Sequence, residues 1–366
     1  MSRKVYLHVG APKTGTTYLQ DRLALNAATL ADHGVHFPSR HALADPALSQ
    51  FRAAIDLMGQ DWGGPPGHAK GAWPALVRRI GRLEGTVVVS HEVLAPAAAE
   101  HVQRAMADLT ALGGTEVHVV YSVRDPARQV PAAWQEAIKQ GGLSTYRRYT
   151  RLMTRGNIFF ARAFDLPRVL ETWGSGLPRD RVHVVTVPQA RGDELWLRSC
   201  AALGIDPAWA PRDSEAVNRS MGVAETTVLR RLNRRLEDAS RKDASYDRVV
   251  RETLVQGMLA NRRGTRVQLP PDMHPWAVAE AERWTAWLRE SGVHVVGDLD
   301  DLLPRPTDAA SYVDPERVSP KAQLGAALDA LAVMTGEAAR RDDPDARLRV
   351  RLRERVTDRL HDRLRR

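Results

Sequence analysis

Val9-Gly10-Ala11-Pro12-Lys13-Thr14-Gly15-Thr16-Thr17, directly behind Lys4-Val5-Tyr6-Leu7-His8, is the stretch that decides the fold. A short apolar run, a glycine-bounded turn and a Thr-Thr pair opening a helical segment make a strand–loop–helix unit. In such a unit the N–H groups of the loop and of the first helical turn converge on one point. The helix dipole adds partial positive charge there, so the unit predicts an anion site. In the ATP- and GTP-binding loop, glycine, four residues and glycine are followed at once by Lys and then Ser or Thr. Gly10 and Gly15 keep that separation, but Thr16 stands where the Lys belongs, and the lysine is Lys13, before the second glycine. A cation on the opposite flank points to a ligand geometry other than that of an ATPase. The plainer alternative is a tight strand-to-helix turn that holds nothing.

A second unit follows. Glu116-Val117-His118-Val119-Val120-Tyr121-Ser122-Val123-Arg124 reads as a buried strand ending in Arg, and Asp125-Pro126 opens a helix running through about Gln140. The two units together resemble the bacterial branch of the sulfotransferases that use 3′-phosphoadenosine 5′-phosphosulfate. Ala11–Thr17 is similar to that family's 5′-phosphosulfate loop, written PKSGTT or PKTGTT. The strand-end Arg124 matches its second signature. Ser90-His91-Glu92 and Asn218-Arg219-Ser220-Met221-Gly222 agree with it, and the likeness covers residues 1–305.

The resemblance implies a P-loop NTPase-like sulfotransferase architecture, an α/β fold of three layers with a parallel sheet and helices on both faces; beyond it the sequence itself reads as a helical C-terminal extension. It implies transfer of a sulfuryl group from the phosphosulfate nucleotide to a hydroxyl or amine of a small-molecule or glycan acceptor, leaving adenosine 3′,5′-bisphosphate. Lys13 would neutralise the leaving 5′-phosphate, and Thr14, Gly15, Thr16 and Thr17 would cradle the phosphosulfate. Arg124 would meet the 3′-phosphate. The family places a Ser eight residues beyond that Arg, where this chain has Ala132. Arg128, one helical turn from Arg124, is a replacement cation. Arg262-Arg263-Gly264, similar to an Arg-Lys-Gly segment of the cytosolic members, is another. As the base for the acceptor proton the likeness favours Glu92, with His91 beside it as the alternative, since a near-neutral pKa suits that task. No metal is required. Two other readings stay open: a nucleotide-dependent kinase with an aberrant loop, and a catalytically silent nucleotide-binding protein of the same fold.

The bulk composition agrees with a large α/β body. The chain has 366 residues, 43% of them apolar, and nine Trp, ample for a sizeable core. Only six of the 53 basic residues are lysine. Residues 340–366 hold eleven Arg against six acids, a net +5 of the chain's +9. The body is thus only mildly basic, as suits a polyanionic nucleotide, and a nucleic-acid partner is not expected. Cys200 is the sole cysteine and reads as a buried helix residue. No leader pattern or membrane-length apolar run is evident, so the expected location is the cytoplasm.

Strands are predicted at Lys4–Val9, Val35–Phe37, Thr86–Ser90, Thr115–Val123, Arg181–Val187 and Val293–Val296, alternating with helices as in a doubly covered parallel sheet. Helices are predicted at Thr16–Leu30, Ala72–Leu83, Ala97–Leu112, Pro126–Gln140, Phe159–Gly174, Glu194–Leu203, Glu225–Ala239, Tyr246–Leu259 and Trp276–Ser291. Residues 1–305 form the sulfotransferase-like domain in this reading, and 306–366 an Arg-rich helical extension. In the extension, Leu348, Leu352, Val356, Leu360 and Leu364 make an amphipathic stripe expected to pack on the body or on a second subunit, with an anionic surface as the alternative. Leu143–Arg155, with Tyr146 and Tyr149, and the Gly- and Pro-rich Gln60–Trp73 are candidate walls of an acceptor site.

Overall fold

Strict alternation divides the first strand between two cores. Val5, Leu7 and Val9 lie in one buried cluster and Tyr6 in another, as a strand buried on both faces requires. The computed structural model describes residues 3–39, 44–190, 192–215, 220–242, 246–306 and 308–342. Its sheet comprises β1 (Arg3–Gly10), β2 (Val35–His36), β3 (Gly85–Ser90), β4 (Thr115–Val123), β5 (Val182–Thr186) and β6 (His294–Val296). All are parallel, in the order β2-β3-β1-β4-β5-β6. Each predicted strand is present within two residues of its predicted ends.

The helices up to the fifth crossover are α1 (Thr16–Leu25), α2 (Ala27–Asp32), α3 (Pro46–Leu57), α4 (Ala72–Ile80), α5 (Ala99–Thr110), α6 (Pro126–Lys139), α7 (Tyr146–Thr154), α8 (Phe159–Phe164), α9 (Leu166–Trp173) and α10 (Glu194–Leu203). Leu19, Leu23, Leu30, Trp196 and Leu203 bring α1, α2 and α10 onto the Tyr6 face, with Val88, Val120 and Val185. The opposite face lies under α3 to α6, α9 and the helix His274–Ser291, through Ile55, Trp73, Leu109, Trp134, Trp173 and Trp284. This is a three-layer α/β architecture. Cys200 is wholly buried in α10, and burial pushes its thiol pKa up to about 12, an inert core residue.

Three departures from the sequence reading have identifiable causes. The helix predicted over Thr16–Leu30 breaks at Asn26, whose amide donates to the carbonyls of Arg22 and Arg212, both at 2.8 Å. The helix predicted over Phe159–Gly174 breaks at Asp165, because Pro167 opens a new helix and cannot continue the old one. Helices α3 and α7 were not predicted. Both begin at polar caps, Asp45 accepting from the Ala47 amide and Thr145 from that of Arg148.

Beyond residue 305 the helix Pro320–Asp342 packs against α11 (Val223–Asn233), and the Thr227 hydroxyl donates to the Pro315 carbonyl at 3.0 Å. The Leu348–Leu364 stripe lies outside the described residues, as do Asn218 and Arg219. No helix among the described residues is long and apolar enough to cross a membrane.

Candidate anion-binding site

The strand order puts the first loop where open α/β sheets bind ligands. From β1 the chain runs to β2 at one edge; from β4 it runs outward to β5 and β6 at the other. The crevice beyond the carboxyl ends of β1 and β4 is therefore a topological switch point. Residues 11–15 occupy it.

The base of the loop is fixed by polar core contacts. His8 is buried, with Nδ1 2.7 Å from Ser90 Oγ on β3 and Nε2 3.1 Å from Ser122 Oγ on β4. The Ser122 carbonyl accepts from the Ala11 amide at 2.8 Å. His8 is thus a satisfied core histidine that ties three strands together beneath the loop. Gly10 and Gly15 are both required by the backbone. They have φ of +140° and +100°, and a Cβ on Gly15 would sit 2.7 Å from Leu195 of α10.

Three successive loop carbonyls turn aside. That of Ala11 accepts from the Thr14 hydroxyl at 2.6 Å, that of Pro12 from Gln129 Nε2 at 3.0 Å, and that of Lys13 from Arg124 Nη1 at 3.3 Å. In a trans peptide unit the N–H points opposite to the C=O, so the amides of Lys13 and Thr14 face the other way. The first amides of α1 join them, since no side chain caps this helix. Two polar atoms at the loop are buried without a partner among the described residues, Thr16 Oγ1 and Arg124 Nε. Burial, then the nearby Arg128, brings the Arg124 pKa down to about 10, which leaves it cationic at neutral pH. The arrangement is a set of unsatisfied donors and one half-buried cation around a turn, suited to an oxyanion.

The structure distributes the other candidates unevenly. Lys13 sits at the turn with φ +65° and pairs through Nζ with Glu136 of α6 at 3.0 Å. Burial pushes the Glu136 carboxyl up, but Lys13, Lys139 and Arg251 outweigh it and hold its pKa below the ordinary value. Thr17 is exposed. Glu92 follows β3 at the loop's side, its Cα 3.7 Å from where a Cβ of Gly10 would be. His91 caps the short turn that Glu92 opens, accepting from the Val93 amide at 3.2 Å, and burial lowers its pKa. Both base candidates thus stand beside the loop.

Arg128 is otherwise engaged: it bonds Asp125 and the carbonyls of Val187 and Pro188, pinning α6 to the end of β5. Arg262 pairs with Glu225 at 2.8 Å and with Asp329, while Arg263 and Gly264 are exposed. The 262–266 segment pairs with residues 222 and 223, and Gln135 of α6 donates to the adjacent Met221 carbonyl at 2.5 Å. Ala132 is half-buried on the same ridge of α6 as Arg128 and Glu136. Among the residues that sequence reasoning missed, Gln129 and Glu136 carry the closest contacts. Their i, i+7 spacing on the helix after Arg124 is the signal that places both on one face.

The buried imidazoles make stability depend on acid. Burial brings the pKa of both His8 and His183 down to about 4, aided at His8 by His91 and at His183 by His118 and His294. A group with a lowered folded-state pKa binds its proton more readily when unfolded, so stability falls as pH drops from about 6.5 towards about 4. Each histidine should remove roughly 2 to 3 kcal/mol between pH 7 and pH 4.5. Urea midpoints at these two pH values measure the loss. The gap should narrow in His8→Gln, and an equal gap in variant and wild type would contradict the assignment.

No protein-family model, curated protein or solved structure matches the chain.

Proposed function

We propose that the protein transfers a sulfuryl group from 3′-phosphoadenosine 5′-phosphosulfate to a hydroxyl or amine, on a P-loop-like sulfotransferase fold. The observation that carries this reading is the loop itself: outward amides, the orphaned donors of Thr16 and Arg124, and a lysine on the near flank in Lys13. These residues fit the anionic end of such a nucleotide, with Lys13 to Thr17 around the phosphosulfate and Arg124 towards the second phosphate. When bound, the nucleotide supplies an activated sulfuryl group whose leaving oxygen gains negative charge as the bond breaks.

The chain's own residues do the rest. The amides of Lys13 to Thr17 and the Lys13 ammonium stabilise charge on the departing phosphate. Glu92, or His91 beside it, takes the proton from the acceptor hydroxyl or amine. Burial lowers the His91 pKa, but its Nδ1 lone pair is taken by the Val93 amide, which leaves Glu92 the better placed base. The kinase alternative needs a carboxylate for magnesium after β4. Asp125 is the residue there, and both its oxygens are engaged by Arg128, one by the amide and one by the guanidinium.

Incubation of the purified protein with sulfur-labelled nucleotide and cell extract tests the reading. Label should enter an acceptor fraction. Label that stays on the nucleotide, or appears only as free sulfate, would remove transfer and favour the silent nucleotide-binding protein.

A further inference from the structure

Between Glu136 and Asp165 the sequence contains no Asp or Glu, yet it contains Lys139, Arg147, Arg148, Arg151, Arg155 and Arg162. The structure shows how α7 spends its share of that charge. Tyr146, Tyr149, Thr150 and Met153 are buried and seat the helix, while Arg147, Arg148, Arg151 and Arg155 are exposed. Arg147, Arg151 and Arg155 recur every four residues, so their guanidiniums follow one line about 12 Å long.

Among the described residues none of these four arginines has an ion-pair partner. Two acids near the helix are already engaged. Glu316 accepts from the Tyr146 amide at 2.7 Å on the inner side, and Asp238 pairs with Arg241 at 2.9 Å. The stripe is also held in place. Trp134 of α6 packs on Tyr146 with ring centroids 4.6 Å apart, and Arg241 Nη1 donates to the Gly141 carbonyl at 2.9 Å in the connection between α6 and α7. At the end of α6, half-buried Lys139 continues the positive charge towards Glu136, which holds Lys13.

We propose that the outward face of α7 docks a linear anionic polysaccharide, carboxylated or sulfated, and that this polymer is the acceptor. The second clause rests on the transfer reading above; the docking does not. Three features favour this partner. The exposed side of α7 carries no apolar residue to enter a lipid surface. Its tyrosines are buried, so no aromatic face is offered for stacking single-stranded bases. Its exposed residues are arginines and Thr154, so it offers no Asn or Gln to adenine edges in a duplex groove. What remains is a row of planar, permanently charged donors matched to repeated carboxylates or sulfates.

Binding of heparin and hyaluronan fragments to the full chain, measured at several salt concentrations, tests the docking, with duplex DNA as a competitor. Wild type should bind at least one polysaccharide, and Arg147→Ser/Arg151→Ser/Arg155→Ser should weaken it tenfold or more. The slope of log affinity against log salt should fall by about three, one per arginine. The triple Arg→Lys variant should keep the salt slope, since the charge is unchanged, but lose part of the affinity with the planar fork. An unchanged melting shift with adenosine 3′,5′-bisphosphate shows that the triple Ser variant is folded with its loop intact. Absence of polysaccharide binding by wild type, equal binding by the Ser variant, or tighter capture of duplex DNA through the same arginines overturns the docking. Polysaccharide bound through these arginines but never labelled would sink the acceptor assignment. Failure of transfer to every extract component would instead sink the transfer reading and leave the docking standing.

Discussion

Lys13→Ala is expected to lower the rate of sulfuryl transfer at least roughly a hundredfold. Loss of a group that stabilises charge only in the transition state costs on the order of 3 kcal/mol. Lys13 is the only non-glycine residue with positive φ among the described residues, and Glu136 holds its ammonium at the loop. Its position is therefore fixed before any ligand arrives, which avoids reorganisation later. The variant should still fold, because Glu136 remains near Lys139 and Arg251. Transfer rates and melting temperatures of variant and wild type, measured side by side, check both parts. A rate within threefold of wild type would remove Lys13 from the chemistry.

The second large effect is on binding. Arg124→Ala should abolish the stabilisation expected from adenosine 3′,5′-bisphosphate, while the unliganded protein keeps its fold. A ligand at 100 times its Kd adds about 2.7 kcal/mol to a state that alone binds it. Arg124 is the half-buried cation whose Nη1 reaches the Lys13 carbonyl and whose buried Nε has no partner among the described residues. Arg124→Lys separates charge from shape. It keeps the cation but loses the planar fork, so a partial shift is expected. An unchanged shift in Arg124→Ala would place the second phosphate elsewhere, with exposed Arg263 the next residue to examine.

The layers of this fold were legible because strand burial is written in continuous apolar runs. Thr115–Val123 was recovered residue for residue, and Val35–His36, with only two paired residues, was recovered from the same pattern. Helix interruptions were less visible. Asn26 breaks a helix by bonding to Arg212, a residue 186 positions away, and no local propensity encodes that contact. The sequence shows α7 only as a candidate wall of an acceptor site, because its buried stripe of Tyr146, Tyr149 and Met153 is short and three arginines interrupt it. The burial of both tyrosines leaves neither ring facing an acceptor.

The site divides in the same way. The loop, Arg124 and the pair His91 and Glu92 converge at one sheet edge, since each lies at the end of a strand whose place the pattern fixed. Helix geometry alone put Arg128 on the face of Arg124. Its guanidinium is drawn instead to Asp125 and to the carbonyls ending β5, which follow it by some sixty residues. Arg262 likewise finds Glu225, a carboxylate that only the tertiary fold brings near.

Thermal melting with adenosine 3′,5′-bisphosphate, set against ATP with magnesium, tests the central claim most directly. The loop with its lysine ahead of the second glycine should give a marked rise in Tm with the bisphosphate and little with ATP and magnesium. A rise with ATP and magnesium alone would contradict the account.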